Sequence, residues 1–312
     1  MRPRIIAGVG EGRQLAARTG KAGLWCPQLQ WQPAAREQEA VAELEELGYP
    51  VVWIGEATGK EILAHASLLL SGSQRIVVAT GIASIWARDP MAMANGARTL
   101  AEAYPGRFVL GLGVSHPFLN EPRDRIYARP LAHMAEYLDA MDRAPFVGPA
   151  ADPPPRVLAA LGPKMLALAR DRSAGAHPYF VPVEHTRLAR SVLGADPLLA
   201  PEQAVVLEHE PEAARGIARR YLASYLPLAS YAANLRRLGW TEDDFSGGGS
   251  DRLVDGLVGW GSVEAVLGRV RAHLDAGADH VALRLLGEDP RVLPTSEWTE
   301  LAAALKASGL LA

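Results

Sequence analysis

The sequence predicts an α/β fold, a closed (β/α)8 TIM barrel, from three observations. Short apolar runs alternate with helical patterns eight times along the 312 residues, without a topological break. The runs lack polar alternation, as in parallel strands covered on both faces. Between Ile76 and His116 the chain also repeats one unit: IVVATGIAS, a helix opening at Asp89-Pro90, the break YPGR, then FVLGLGVSH. Each half ends in small residues, which let a backbone approach a flat ligand.

The elements follow in order. Strand Gly23–Cys26 leads to a helix from Pro33 to Leu47, with Pro33 in its first turn and Gly48 at its C-terminal cap. Val51–Ile54 breaks at Gly55 before a helix from Glu61 to Leu70. Ile76–Thr80 precedes the helix Pro90–Tyr104, and Phe108–Leu112 precedes a helix between Arg123 and Arg143. After the proline-rich turn Asp152–Pro155 come strand Arg156–Leu161 and helix Pro163–Arg172. Pro178–Val181, bracketed by prolines, is the weakest strand expected. Helix Glu184–Leu193, strand Ala204–Glu208 and a helical region Glu212–Leu238 broken near Pro227 follow. Ser246–Ser250 reads as a flexible loop tip. Helix Val263–Ala276, strand His280–Leu285 and a last helix complete a single domain over 1–312.

The chain is 49% hydrophobic with a formal net charge of -3, enough for one large core and without a basic surface for nucleic acid or anionic lipid. Arg215, Arg219, Arg220, Arg236 and Arg237 are interleaved with acids and read as solvated helix faces. The lone Cys26 excludes an intrachain disulfide and a cysteine-cluster metal site. No segment reads as a signal peptide or membrane span, so a cytoplasmic protein without membrane partner is expected.

In such a barrel the active site lies at the C-terminal ends of the strands. The residues there are glycines, aromatics and isolated polar groups, with no metal-ligand spacing and no nucleophile elbow. That composition suits a cradle for a cofactor that carries the chemistry itself. In Leu161-Gly162-Pro163-Lys164-Met165 a strand ends and proline opens a helix with a cation in its first turn. Lysine there opposes the helix dipole unless an anion is nearby, so the segment is a candidate phosphate cradle, the alternative being an ordinary turn. Gly175-Ala176-His177 offers a neighbouring small-residue turn. His116 could exchange a proton near neutral pH or simply be held in its loop. Glu56 could orient a hydroxyl, act as a base, or cap the next helix. Trp25, Cys26, Trp53 and Trp86 are candidates for an apolar substrate pocket or for core caps.

The set GLWCP, VVWIGEA, IVVATGIAS…ARDP, GRFVLGLGVSH, LAALGPKML, AGAHPYFVPVEHT, LAPEQAVVLE and HLDAGADHVALRLL resembles the luciferase-like monooxygenase superfamily. Within it the chain is similar to actinobacterial oxidoreductases that use coenzyme F420, a deazaflavin. The resemblance implies a helical insertion near strand seven, about 221–260, and a ring lying across the ends of strands three and four. It implies a bulge with a non-prolyl cis peptide at Gly81–Ile82, continued by Ala83, and a ring border at Gly113, Val114 and Ser115. Gly162, Pro163, Lys164 and Met165, with Gly175, Ala176 and His177, match loops that hold the cofactor phosphate. Glu56 matches an acidic position near cofactor and substrate in sugar-phosphate dehydrogenases. Those enzymes carry Asp-His after strand two, where Ala57 follows Glu56 here, and a glutamate where this chain has His116-Pro117. A sugar-phosphate substrate is therefore disfavoured, and His116 becomes the leading proton donor.

The resulting expectation is an F420-dependent oxidoreductase that transfers a hydride between the deazaflavin C5 and a small organic substrate. An FMN-dependent monooxygenase, with a flavin in place of F420, is the alternative in the same fold. A non-catalytic F420-binding barrel is the rival from another class. Relatives of this kind are often homodimers, which the apolar helices allow.

Overall fold

The computed structural model describes residues 10–150 and 152–311. Its strands are β1 Ala22–Trp25, β2 Val51–Ile54, β3 Val77–Thr80, β4 Ala83–Ser84, β5 Phe108–Gly113, β6 Arg156–Leu158, β7 Gly175–Ala176, β8 Leu198–Leu199, β9 Glu202–Val206, β10 Val258–Trp260 and β11 Val281–Leu285. All the ladders are parallel, in the order β10-β9-β11-β1-β2-β3-β5-β6-β7-β8, with β4 beside β5.

The ring closes through the seventh barrel position, which the chain builds in two pieces. β8 pairs with β7 (Gly175↔Leu198), and β9 pairs with β11 (Ala282↔Glu202). Pro201 separates them, since it has no N–H for a ladder. β10 lies outside the ring, added to β9 (Val258↔Ala204). This is the (β/α)8 barrel that the alternation predicts.

Strand alternation sorts the side chains into two shells. Leu24, Val52, Ile54, Val78, Leu110, Leu158 and Leu283 point outward and are buried under the helices. Trp25, Val51, Trp53, Val77, Ala79, Val109, Val157, Leu198 and Ala282 fill the lumen. Leu15 joins the lumen residues nearest the strand starts, so the helix Glu11–Thr19 closes the N-terminal end of the barrel. Its Gly12 allows that fit, because a Cβ there would lie 2.3 Å from the Asp196 carbonyl.

Three sequence expectations shift. The sixth strand is Gly175–Ala176, and Pro178–Val181 is irregular. Gly175 is required by strand packing, since a Cβ would sit 2.1 Å from the Leu198 carbonyl. The expected loop tip Ser246–Ser250 is a 3-10 turn, and the Ser250 hydroxyl caps the helix Asp251–Leu257 by accepting from the Leu253 amide at 3.1 Å. The insertion follows strand seven as the helices Pro211–Ala223, Ala229–Arg237, Glu242–Phe245 and Asp251–Leu257, starting ten residues before 221. It forms its own core with Ala204, Val206, Val258 and Phe180. No helix among the described residues is long and apolar enough to cross a membrane.

Candidate active site

A cavity of about 750 Å3 opens where the strands end. Its floor begins with a register fault. Ala79 pairs with Val109 and Ala83 with Leu112, so four steps along one strand face three along the other. The extra residue is a β-bulge. It forms because the Thr80 side chain takes over the ladder, donating to the Gly111 carbonyl at 2.7 Å and accepting from the Gly111 amide at 2.8 Å. The bulge contains Gly81–Ile82, which is a cis peptide.

Neighbouring strands pin this bulge. The Gly81 amide donates to Ile54 O (2.7 Å), and the Glu56 amide donates to Ile82 O (3.3 Å). Trp25 Nε1 donates to Gly81 O at 3.2 Å. The Ser84 amide donates to Glu56 Oε2 at 2.7 Å. Arg88 then donates to both Glu56 oxygens, one at 3.1 Å, and also pairs with Glu61 at 2.7 Å. The Glu56 side chain is only 4% exposed and engaged by these donors, which makes it a clamp on the bulge.

His177 completes the floor. Its ring stacks on Trp53 in the lumen, and Nδ1 lies 2.7 Å from the Ala200 carbonyl. A carbonyl only accepts, so Nδ1 carries the hydrogen and Nε2 is left as a bare lone pair. Burial holds the ring neutral by pushing its pKa down to about 4. Nε2 is buried, has no partner, and borders the cavity beside Gly81, where a Cβ would lie 2.8 Å from it.

One end of the cavity is cationic. Gly162 precedes the helix Pro163–Arg172, and Lys164 lies in its first turn. His185 Nε2 donates to Leu161 O at 2.9 Å, fixing the turn. From the insertion Arg237 reaches over Gly162, its Nη2 3.9 Å from where a Cβ would stand. Arg237 donates to Asn234 Oδ1 at 2.9 Å. Neither cation has a carboxylate within 4.0 Å among the described residues. A helix N-terminus with two free cations suits a phosphate.

The end of the neighbouring strand β5 brings Val114, Ser115 and His116 to the cavity, with Ser115 in the left-handed region at φ 55°. The His116 ring lies 5.2 Å from that of Tyr231, and burial lowers its pKa. That burial favours the neutral ring, which accepts a proton more readily than it supplies one as an imidazolium. Tyr179, Tyr225 and Tyr231 form part of the remaining wall.

Of the predicted site residues, Trp25, Glu56, Gly81, Ile82, Val114, Ser115, His116, Gly162, Lys164, Met165 and His177 meet at this cavity. Ala83 and Gly113 are buried just beneath it, and a Cβ on Gly113 would strike Ile82 at 2.5 Å. Pro163 only opens the helix, and Gly175 and Ala176 are buried strand residues. Three pocket aromatics and thiols move elsewhere. Trp53 is in the lumen, donating from Nε1 to His280 at 3.1 Å. Cys26 is buried, its thiol pushed up to about 12 by burial. Trp86 stacks on His133 and holds the Val114 carbonyl at 2.8 Å from behind. Sequence reasoning missed Arg237, grouped with solvated arginines, and the tyrosines of the insertion.

A family model described as Luciferase-like monooxygenase matches residues 6–280. The chain belongs to the luciferase-like monooxygenase family. A Mycobacterium tuberculosis protein provisionally named coenzyme F420-dependent oxidoreductase Rv3520c is 36% identical over 109 residues. That match spans 35% of this chain and 31% of the relative, about a third of its length. Among solved structures, an F420-dependent secondary alcohol dehydrogenase in complex with an F420-acetone adduct superposes with TM-score 0.73 at 14% identity, covering 93% of this chain and 99% of that one. The FMN-bound oxygenating constituent of 3,6-diketocamphane monooxygenase from Pseudomonas putida gives TM-score 0.66 at 15% identity, covering 91% and 96%. These likenesses establish the fold. The expected luciferase-like barrel enzyme is thus met at the level of family and architecture.

Proposed function

We propose that this enzyme is an F420-dependent oxidoreductase acting on a small organic substrate. The observation that carries the reading is a pinned glycine bulge for a flat ring on the cavity floor, together with Lys164 on the lining and Arg237 over Gly162, two unpaired cations at a helix N-terminus. Coenzyme F420 has that form, a planar deazaflavin with an anionic phosphate tail, and when bound it supplies a hydride at ring C5. Gly81 and Ile82 would support the ring, with Val114 and Ser115 at its border. His177 Nε2 would accept from a ring N–H, and Lys164 and Arg237 would hold the phosphate. Neutral His116 would take or return a substrate proton, and Glu56 with Arg88 would keep the bulge in place. The family, the name of the mycobacterial relative and the F420-bound neighbour support this reading.

Parallel titration of the purified protein with F420 and FMN, followed by fluorescence, tests it. Saturable F420 binding with FMN at least tenfold weaker is the expected result. FMN binding in preference to F420 favours the monooxygenase, and binding of neither overturns the proposal.

A further inference from the structure

A buried cation at the mouth of the barrel has no carboxylate in direct contact among the described residues. Arg284 on β11 points inward at the level of the cavity, following Ala282 in the alternation of that strand. Its guanidinium lies over the rings of Trp25 and Tyr221, 4.9 and 4.7 Å from their centroids. Nη1 donates to the hydroxyls of Tyr179 and Tyr225, the latter at 3.0 Å. Nε is buried without a partner, and no carboxylate among the described residues comes within 4.0 Å of the group.

The two hydroxyls are 3.0 Å apart, so one donates to the other. Both oxygens already accept from Arg284, which leaves one hydroxyl hydrogen unspent. Both rings line the cavity. A donor polarised by a guanidinium is strengthened towards an anionic acceptor. Glu202, the acid nearest in the cluster, attracts the arginine across the cluster without touching it. It accepts from the Phe180 amide and the Tyr221 hydroxyl, each at 3.2 Å. Burial raises its pKa to about 7, so it is partly protonated at neutral pH. Aromatic faces compensate a cation only in part, and an unpaired buried charge is costly.

We propose that Tyr179 and Tyr225, backed by Arg284, form a binding site for a negatively charged oxygen of the substrate, a carboxylate or a phenolate-type or enolate-type oxygen. The assignment of this oxygen to the substrate rests on the F420 reading; the anion site itself does not.

The probe is 4-nitrophenol, whose phenol and phenolate forms absorb differently, with 4-nitroanisole as the ring that cannot ionise. The protein without cofactor should bind the phenolate at least tenfold more tightly than the phenol, lowering the apparent pKa of the bound probe by about one. Tyr225→Phe and Tyr179→Phe should each weaken phenolate binding about tenfold and leave 4-nitroanisole unchanged. Circular dichroism of each variant shows whether it is folded, and either one suffices. Equal binding of phenol and phenolate, or variants that lose both probes alike, would overturn the site. F420 added to the nitrophenolate complex should bind alongside it; displacement of the probe would assign the oxygen to the cofactor and overturn the substrate assignment. If F420 fails to bind while the phenolate binds as expected, the hydride-transfer reading fails and the anion site stands.

Discussion

The indole of Trp53 lies flat against the imidazole of His177, ring centroids 4.3 Å apart and planes 9° from parallel. Stacking fixes the ring, and the Nδ1 contact with Ala200 fixes its tautomer. Nε2 is thus held as an acceptor at the cavity floor. His177→Phe should keep the stack and lose the lone pair. F420 affinity should fall about tenfold, the worth of about 1.4 kcal/mol for one buried hydrogen bond. Fluorescence titration checks this, and unchanged affinity would remove His177 from the cofactor site.

Acid should weaken the fold through several buried rings together. Burial brings His177, His185 and His280 down to about 4 and His273 to about 3. Unfolded, these rings titrate near 6.5. Between those limits the unfolded chain binds protons that the folded chain refuses. Stability is therefore full above about pH 6.5 and is lost as pH falls towards 4, by about 2 kcal/mol for each ring at pH 5. Urea unfolding at pH 7.5 and pH 5 measures it; equal values would mean that the rings are charged in the fold.

Lys164→Ala and Arg237→Ala should each weaken F420 binding about tenfold, more at low salt than at high, since a charge-assisted phosphate contact is lost. The dephosphorylated deazaflavin should bind all three proteins alike. A loss that is equal for both forms of the cofactor would place these cations elsewhere.

A methyl group on Gly81 would stand 2.6 Å from Trp25 Nε1 and 2.8 Å from His177 Nε2. Gly81→Ala should therefore cost about 2 kcal/mol of stability by overpacking and block the floor of the cavity. Thermal melting and F420 titration both report it, and a variant indistinguishable from the parent in both would show that the floor has room.

Glu56→Gln separates a clamp from a base. The amide keeps the shape but gives up the charge that Arg88, 12% exposed on its side chain, pairs with. A clamp predicts destabilisation of about 2 kcal/mol in urea. Unchanged stability would return Glu56 to the role of a base.

The barrel was legible because its signals are local and period-based. Apolar runs, Asp89-Pro90 and Gly48 each act within a few residues. The sixth strand was misplaced because it is two residues long and contains glycine, while Pro178–Val181 has the apolar composition of a strand without its ladder. Gly175 itself reads the same in sequence whether a ligand or the Leu198 backbone approaches it. The floor of the site was legible from the repeated strand ends. Its other parts were not: Tyr225, Tyr231 and Arg237 come from the insertion, and although Tyr179 and Arg284 read as strand-end residues, their meeting across more than a hundred residues did not. Nothing in the segment containing Arg236 and Arg237 distinguishes the arginine that pairs with Glu242 from the one that turns over Gly162.

The helix Glu11–Thr19, with Leu15 set among the first lumen residues of the strands, makes the barrel a cup with a stopped base. The C-terminal ends of the strands are thereby left as the open side, and the Gly81–Ile82 bulge and the tyrosines share that one chamber.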